Sequence, residues 1–257
     1  MSLKSITQQE FDVICTQLDT KLTPLGFECY PFKVKWYNQM VSQEFHLPYD
    51  GNCLSFTIIS TPDMFEKAFI PYIQMQNSVE IKDPINECMK YYLNTLKEIF
   101  SGHCLEVIHD FDLQMPNRRP KVLAQTAAHV SGAAFYYSPD VISDIRDIRG
   151  TVSSDNRRLL GYCIHPQYGG WFAIRGVLIF SDTTTESLRQ RQPRDVLQSV
   201  ELKRKLLIAF NTNWRDWSSY RDIIAVRKKY SDLQIKYFQS DASDRKALIK
   251  TLIDCHK

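Results

Sequence analysis

The stretch GGWFAIRGVLIF, residues 169–180, constrains the fold more than any other part of the chain. Side chains of a strand alternate between its two faces. Read that way, Trp171, Ala173, Arg175, Val177 and Ile179 share one side, and Phe172, Ile174, Gly176, Leu178 and Phe180 the other. Both sides are apolar, as expected of a strand covered on both faces and central in its sheet. Arg175 then has no ready access to water. An unpaired buried charge is costly, so its guanidinium needs an anion or carbonyl oxygens beside it.

Periodicity predicts the surroundings of this strand. A helix is expected over 6–25, with Phe11, Ile14, Leu18 and Leu22 on one stripe. A short helical turn over 36–41, a strand over 54–60, helices over 63–70 and 85–100 and a strand over 105–111 follow. Pro84 suits the first turn of the helix over 85–100. Strands separated by helices imply an α/β or α+β sheet with helical cover. Pro120 reads as the first turn of another helix, placing Ala124, Ala128 and Gly132 at i, i+4 and i+8. Such small side chains let either a second helix or a flat ligand approach the backbone. Beyond an aromatic segment over 135–137, the polar residues 138–158 read as a surface loop or flap. A short strand over 161–165 and a polar connection over 181–194 come next. Helices are expected over 196–210, 214–226 and 233–238, and a last one, capped by Asp241 or Ser243, through Ile253.

Arg175 is not alone among apolar neighbours. In WRDWSSYRD, the spacing i, i+3, i+7 puts Trp214, Trp217 and Arg221 on one helical face. In SDRKALIKTLI, Arg245 shares a face with Leu248, Ile249 and Leu252. Two explanations stand. Each arginine has its own internal salt bridge, for example to Asp216, Asp222 or Asp244. Alternatively, Arg175, Arg221 and Arg245 converge on one anionic ligand, since planar guanidinium forks suit carboxylates and phosphates.

Several classes are disfavoured. A net charge of +3, from 32 basic and 29 acidic residues, is too mild to argue for nucleic acid. No run approaches the ~18 apolar residues of a membrane span. Signal and transit peptide features are missing from the N-terminal residues. Seven scattered cysteines, none in a CxxC pair, suit reduced thiols in a cytoplasmic protein better than a disulfide framework or zinc site. P-loop, GxGxxG, HExxH and GxSxG patterns are lacking. Cys163 and His165 fall on one strand face, either as a nucleophilic pair or as a buried structural cysteine beside a histidine. No domain boundary stands out, so residues 1–257 are expected to form a single domain.

Five stretches carry a family resemblance: GFECYPFKVKWYN and FHLP early in the chain, then PNRRPKVLAQTAAHVSGAAFYY, CIHPQYGGWFAIRGV and FNTNWRDWSSYRD. In order and spacing, across about 25–253, they resemble the CblC (MMACHC) family. The resemblance implies an α+β fold related to flavin-dependent nitroreductases: a mixed sheet flanked by helices, with an added cobalamin-binding lobe and a C-terminal helical part. It implies a cytoplasmic enzyme and escort that removes the upper axial ligand of cobalamin. Alkyl groups leave to the glutathione thiolate. Cyanide leaves by reduction at cobalt, with electrons from a thiol or from reduced FMN or FAD.

The resemblance also implies site residues. Cobalamin contacts fall at Asp110, Val122, Leu123, Ala124, Gln125, Tyr136, Tyr137, Ser138, Cys163 and Ile174; at Ser138, vertebrate members have glutamine. Glutathione contacts fall at Arg175, Arg221 and Arg245. Cobalamin binds base-off in the family, without a protein ligand to cobalt. HVSG, at 129–132, matches only the histidine part of a DxHxxG cobalamin motif, and Ala127 stands at the aspartate position. No protein nucleophile is expected. Implied partners are a trafficking protein of the MMADHC (CblD) type, the methionine synthase system and a second copy of the chain in a ligand-dependent homodimer. Two other functions remain open from sequence: a non-enzymatic cobalamin escort, and a flavin-dependent reductase of small aromatic substrates.

Overall fold

The computed structural model describes residues 3–141 and 159–255, so most of the expected flap lies outside the described residues. The expected central strand is β9, Ala173–Thr185. One edge of it pairs antiparallel with β3, Cys53–Ser60, which pairs in turn with β2, Phe27–Lys33. The other edge is shared by β4, Leu105–His109, antiparallel, and β1, Lys4–Ile6, parallel. The sheet is therefore mixed, and β9 is its spine.

Alternation along β3 decides what each face meets. Leu54, Phe56 and Ile58, with Leu178 and Phe180, pack under α1 (Gln8–Leu22), α3 (Ile70–Gln76) and α4 (Pro84–Ile99). Phe32, Cys53, Val177 and Ile179 meet α2 (Val34–Asn38) and α5 (Ala124–Val130) on the opposite face. Burial of large apolar side chains on both faces supplies the main drive for this arrangement, at ~25 cal/mol per Å².

A smaller cluster lies beside the sheet. The hairpin of β7 (Phe135–Tyr137) and β8 (Tyr162–Ile164) packs on α6 (Val200–Thr212) and α7 (Trp217–Arg221) through Tyr137, Ile164, Leu206, Leu207 and Tyr220. The last helices, α8 (Asp232–Gln239) and α9 (Ala242–Asp254), return to the α4 face through Tyr237, Leu248, Ile249 and Ile253.

Several boundaries differ from the sequence reading. Ile6 belongs to β1, and α1 begins after the Thr7 cap with its reciprocal Glu10. Strand β2 was not anticipated, because its Glu28, Tyr30 and Pro31 break the apolar pattern. Pro120 does not open a helix. It pairs with Leu113 across the short strands β5 (Leu113–Gln114) and β6 (Arg119–Pro120), and α5 starts at Ala124. The small-residue stripe is correspondingly shorter, since Gly132 follows the helix at φ 78°. Ala127 and Ala128 let α5 lie directly on the sheet, where the Thr57 hydroxyl donates to the Ala127 carbonyl at 2.9 Å. The polar connection after Phe180 also begins later than expected, as 181–185 extend β9. Pairing with β1 buries Thr183, Thr184 and Thr185 there. Helix α7 is one short turn rather than a helix over 214–226. Trp214 precedes it, 58% exposed, so it does not share the inward face of Trp217 and Arg221.

Candidate functional site

The strand carrying Arg175 breaks its alternation at that residue. Ile58 stands opposite Gly176, and Ile59 opposite Ile174, so Arg175 is the extra residue of a β-bulge. Gly176 has φ 136°, and an added Cβ would collide with the Ile108 carbonyl oxygen. A bulge re-aims the side chains around it. Ile174 pairs with Ile59 and joins Ala128 on the α5 face. Arg175 turns to the α4 face, where its Nε donates to the Ser60 hydroxyl at 2.9 Å. The expected sides are therefore exchanged: Ile174 accompanies Val177 and Ile179, and Arg175 accompanies Leu178 and Phe180. The two residues still point apart. They lie where β3, β4 and β9 all reach an end, so a ligand capping that end of the sheet meets both faces.

On the α5 face, Tyr136, Cys163 and Ile174 gather around Ile59, Ala128 and Phe172. Tyr136 stands opposite Cys163 in the hairpin. The Cys163 thiol meets the Gln125 carbonyl at 3.6 Å, and burial pushes its pKa well up, which makes it a poor nucleophile. Gln125 Oε1 is buried without a hydrogen-bond partner. The start of α5 is fixed by Tyr37, whose hydroxyl accepts from the Leu123 amide at 2.8 Å. Val122 is buried beneath, and Ala124 is half-buried at the first helical position. Ser138 bonds to Asp140 in a tight turn. Tyr137 is turned the other way: it is fully buried in the lobe, donates to Asp195 at 2.7 Å and accepts from the amides of Val196 and Leu197. Its side chain is thus separated from that of Tyr136.

Asp110 follows β4 at the same end of the sheet, with its amide bonded to the Arg175 carbonyl at 3.2 Å. Its Oδ1 is buried and unpartnered; burial raises its pKa, against the pull of Arg175. Beside it, His109 is buried with Nδ1 unpartnered and its ring stacked on Phe111 at 4.8 Å. His109 was not anticipated. Its signal was a histidine in an otherwise apolar strand, the same kind of signal that picked out Arg175.

The three arginines have different surroundings, and none of the ion pairs among the described residues includes them. The proposed salt bridges to Asp216, Asp222 and Asp244 are not formed. Asp222 accepts from Trp171 Nε1 and Lys229, both at 2.6 Å. Asp216 bonds to Ser218, and Asp244 lies in the first turn of α9, where its amide donates to Asp241. Arg221 sits among aromatic rings, 4.4 Å from the Trp217 centroid and 5.3 Å from that of Tyr230, with Nε buried and unpartnered. Arg245 donates to the carbonyls of Tyr237 and Phe238 at the end of α8, at 3.0 and 3.1 Å.

These sites connect. Arg175 acts on the Cys88 thiol, which burial nevertheless pushes up to about 12. Tyr237 is in electrostatic reach of both Cys88 and Arg245. Phe238 contacts the rings of Trp217 and Tyr230, which surround Arg221. Arg175, Arg245 and Arg221 are thus linked through Cys88, Tyr237 and Phe238, without a direct contact to one another among the described residues.

Cys163 and His165 do not form a catalytic pair. His165 Nδ1 accepts from the amides of Gln167 and Tyr168, at 3.1 and 3.3 Å. Nδ1 being an acceptor, the proton belongs on Nε2, 3.0 Å from the Tyr30 hydroxyl, which donates in turn to Glu28 at 2.6 Å. Burial lowers the His165 pKa to about 4 despite Glu28. No described helix is long and apolar enough to cross a membrane.

Comparison with known proteins decides the family. The profile of the methylmalonic aciduria and homocystinuria type C family, MMACHC, matches residues 26–249. The chain belongs to the MMACHC family. A chicken cyanocobalamin reductase / alkylcobalamin dealkylase is 43% identical over 92% of this chain and 95% of its own length. The human protein of that name is 41% identical over 91% of this chain and 79% of its own. The crystal structure of the C. elegans B12-trafficking protein CblC, a human MMACHC homologue, superposes with a TM-score of 0.87 at 32% identity, covering 96% of this chain and 98% of that one. As an MMACHC-family chain with a mixed α+β sheet, it has the general architecture that the sequence stretches suggested.

Proposed function

We propose that this chain processes cobalamin with the two activities in its relatives' names, cyanocobalamin reductase and alkylcobalamin dealkylase, each of which removes the upper axial ligand. The single observation that carries the reading is identity of 43% along nearly the full length of a protein so named. Cobalamin is assigned to the end of the sheet, between Asp110, the start of α5 (Val122, Leu123, Ala124 and Gln125), Tyr136, Ser138, Cys163 and Ile174, with Tyr137 contributing through its backbone. The unpartnered oxygens of Asp110 and Gln125 support this, because buried acceptors without donors suit the amide-fringed edge of a corrin. Binding is base-off, and no side chain ligates cobalt.

Glutathione is the alkyl acceptor in this reading. It carries two carboxylates and one ammonium, and Arg175, Arg221 and Arg245 are guanidiniums without carboxylate partners among the described residues. Positive charge lowers a thiol pKa and so favours the thiolate. The thiolate attacks the alkyl carbon, forming an S–C bond. The Co–C bond breaks with its electron pair left on cobalt, giving cob(I)alamin and the S-alkylglutathione. Holding the thiolate in line contributes up to ~7–11 kcal/mol through lost bimolecular entropy. Decyanation needs electrons from a thiol or from reduced FMN or FAD, and no residue of the chain is assigned to that donor.

The proposal extends to a single domain over 1–257, with a nitroreductase-related core and the β7–β8 lobe against the cobalamin. The chain works in the cytoplasm, passes its product to a CblD-type protein and the methionine synthase system, and pairs with a second copy on ligand binding. The test is anaerobic incubation with methylcobalamin and glutathione. Cob(I)alamin absorption and equimolar S-methylglutathione are expected. Tight cobalamin binding with neither product would reduce the chain to an escort, and flavin retention without cobalamin binding would favour a reductase of other substrates.

A further inference from the structure

The turn His165–Trp171 joins β8 to β9 and touches Arg221 at both of its glycines. Gly170 and Arg221 exchange two hydrogen bonds: the Gly170 amide donates to the Arg221 carbonyl at 3.0 Å, and Arg221 Nη1 donates to the Gly170 carbonyl at 2.5 Å. A Cβ on Gly170 would press on Arg221 Cα at 2.9 Å, and one on Gly169, at φ 57°, would strike the Arg221 carbonyl. The Arg227 amide donates to the Gln167 carbonyl at 2.7 Å, and Trp171 Nε1 donates to Asp222. The turn is thus a clamp on the segment 221–227. Its shape is held from inside by one side chain. His165 exchanges both backbone hydrogen bonds with Gly169, at 2.8 and 2.9 Å, while its Nδ1 gathers the amides of Gln167 and Tyr168. Tyr30 and Glu28 fix the tautomer that makes this acceptance possible.

We propose that His165 is a positioning residue for Arg221, acting through the 165–171 turn, and that it thereby sets the affinity for the glutathione carboxylate at Arg221. The inference rests on the glutathione reading above. It gives the HPQYGG segment a role that neither a Cys–His nucleophile nor core packing accounts for: a histidine acceptor shapes the turn so that two glycines can meet the arginine backbone.

The test is steady-state dealkylation of methylcobalamin, with the KM for glutathione and the Kd for cobalamin measured on the same variants. Glutamine at position 165 places its polar group near Nε2 and leaves the turn amides without their acceptor. Asparagine keeps an oxygen near Nδ1. His165→Gln is expected to raise the glutathione KM about tenfold with kcat and cobalamin Kd within about twofold, a loss of uniform binding. His165→Asn is expected to restore the KM to within about threefold of the parent chain. Tyr30→Phe, which removes only the oxygen facing Nε2, is expected to raise the KM about threefold and serves if His165→Gln does not fold. An unchanged KM in His165→Gln, or in Tyr30→Phe where it stands in, overturns the proposal, as does equal impairment of His165→Asn and His165→Gln. Arg221→Ala separates the two readings. If its KM is unchanged, the glutathione assignment itself fails; if its KM rises while that of His165→Gln does not, only the positioning role fails.

Discussion

Ile174 and Arg175 are neighbours in sequence, yet they serve opposite faces of the sheet. On the Ile174 side, the residues packed together are apolar or neutral, and their polar deficit is a missing donor: Gln125 Oε1 has no partner, and neither does Oδ1 of Asp110 nearby at the end of the sheet. On the Arg175 side, the deficit is a missing anion. Three guanidiniums rest on a serine hydroxyl, backbone carbonyls and aromatic rings, without a carboxylate among the described residues. Acceptors without donors and guanidiniums without a carboxylate hydrogen-bond partner call for different ligands. In the proposed function, one face takes the large amide-fringed cobalamin, the other the dicarboxylate glutathione, and the two react at the end of the sheet.

The bulge decides which face each of the two residues takes, so the largest expected effect comes from removing it. Gly176→Ala should destabilise the protein by about 3 kcal/mol or more, through the strained φ and the collision with Ile108. Chemical denaturation measures it, and a loss below ~1 kcal/mol would mean that β9 can straighten without cost. Acid should act next. The folded His165 has a pKa lowered to about 4, so its stabilising contribution is complete above the unfolded value of 6.5 and is lost as pH falls through 4. Stability should drop by about 3 kcal/mol across that window, with His109 and His129 adding in the same direction. Denaturation curves at pH 7 and pH 4 should show this slope flattened in His165→Asn.

Smaller substitutions sharpen the contrast between faces. Tyr137→Phe should cost about 1–2 kcal/mol of stability, because its hydroxyl serves Asp195 and two amides. It should leave cobalamin affinity nearly unchanged. A large affinity loss would place that hydroxyl in the cobalamin site. Gln125→Leu should weaken cobalamin binding about tenfold by equilibrium titration, with little change in stability, since its oxygen has no protein partner to lose.

Legibility in the sequence followed physical range. The apolar run of β9 announced a central strand because burial on both faces leaves a local pattern. Arg175 stood out for the same reason. The bulge did not, since it depends on how β3 aligns with β9, and no residue within the strand reports its partner's register. Arg221 and Arg245 were found from helical spacing, although α7 proved a single turn and Trp214 fell outside it. Strand β2 escaped because its polar residues serve the His165 turn: Tyr30 meets a histidine far away in sequence and donates to Glu28. The residues assigned to cobalamin came from family resemblance. Their small and apolar character is equally that of a helix lying on a sheet, which is what Ala127 and Ala128 do.

The division of labour between faces is tested most directly by Arg175→Ala, assayed for cobalamin binding and for glutathione-dependent dealkylation of methylcobalamin. The account predicts a fall of about 100-fold in kcat/KM for glutathione, with the cobalamin Kd within about twofold of the parent chain. An equal loss of binding and turnover would contradict it and return Arg175 to the role of a structural cation.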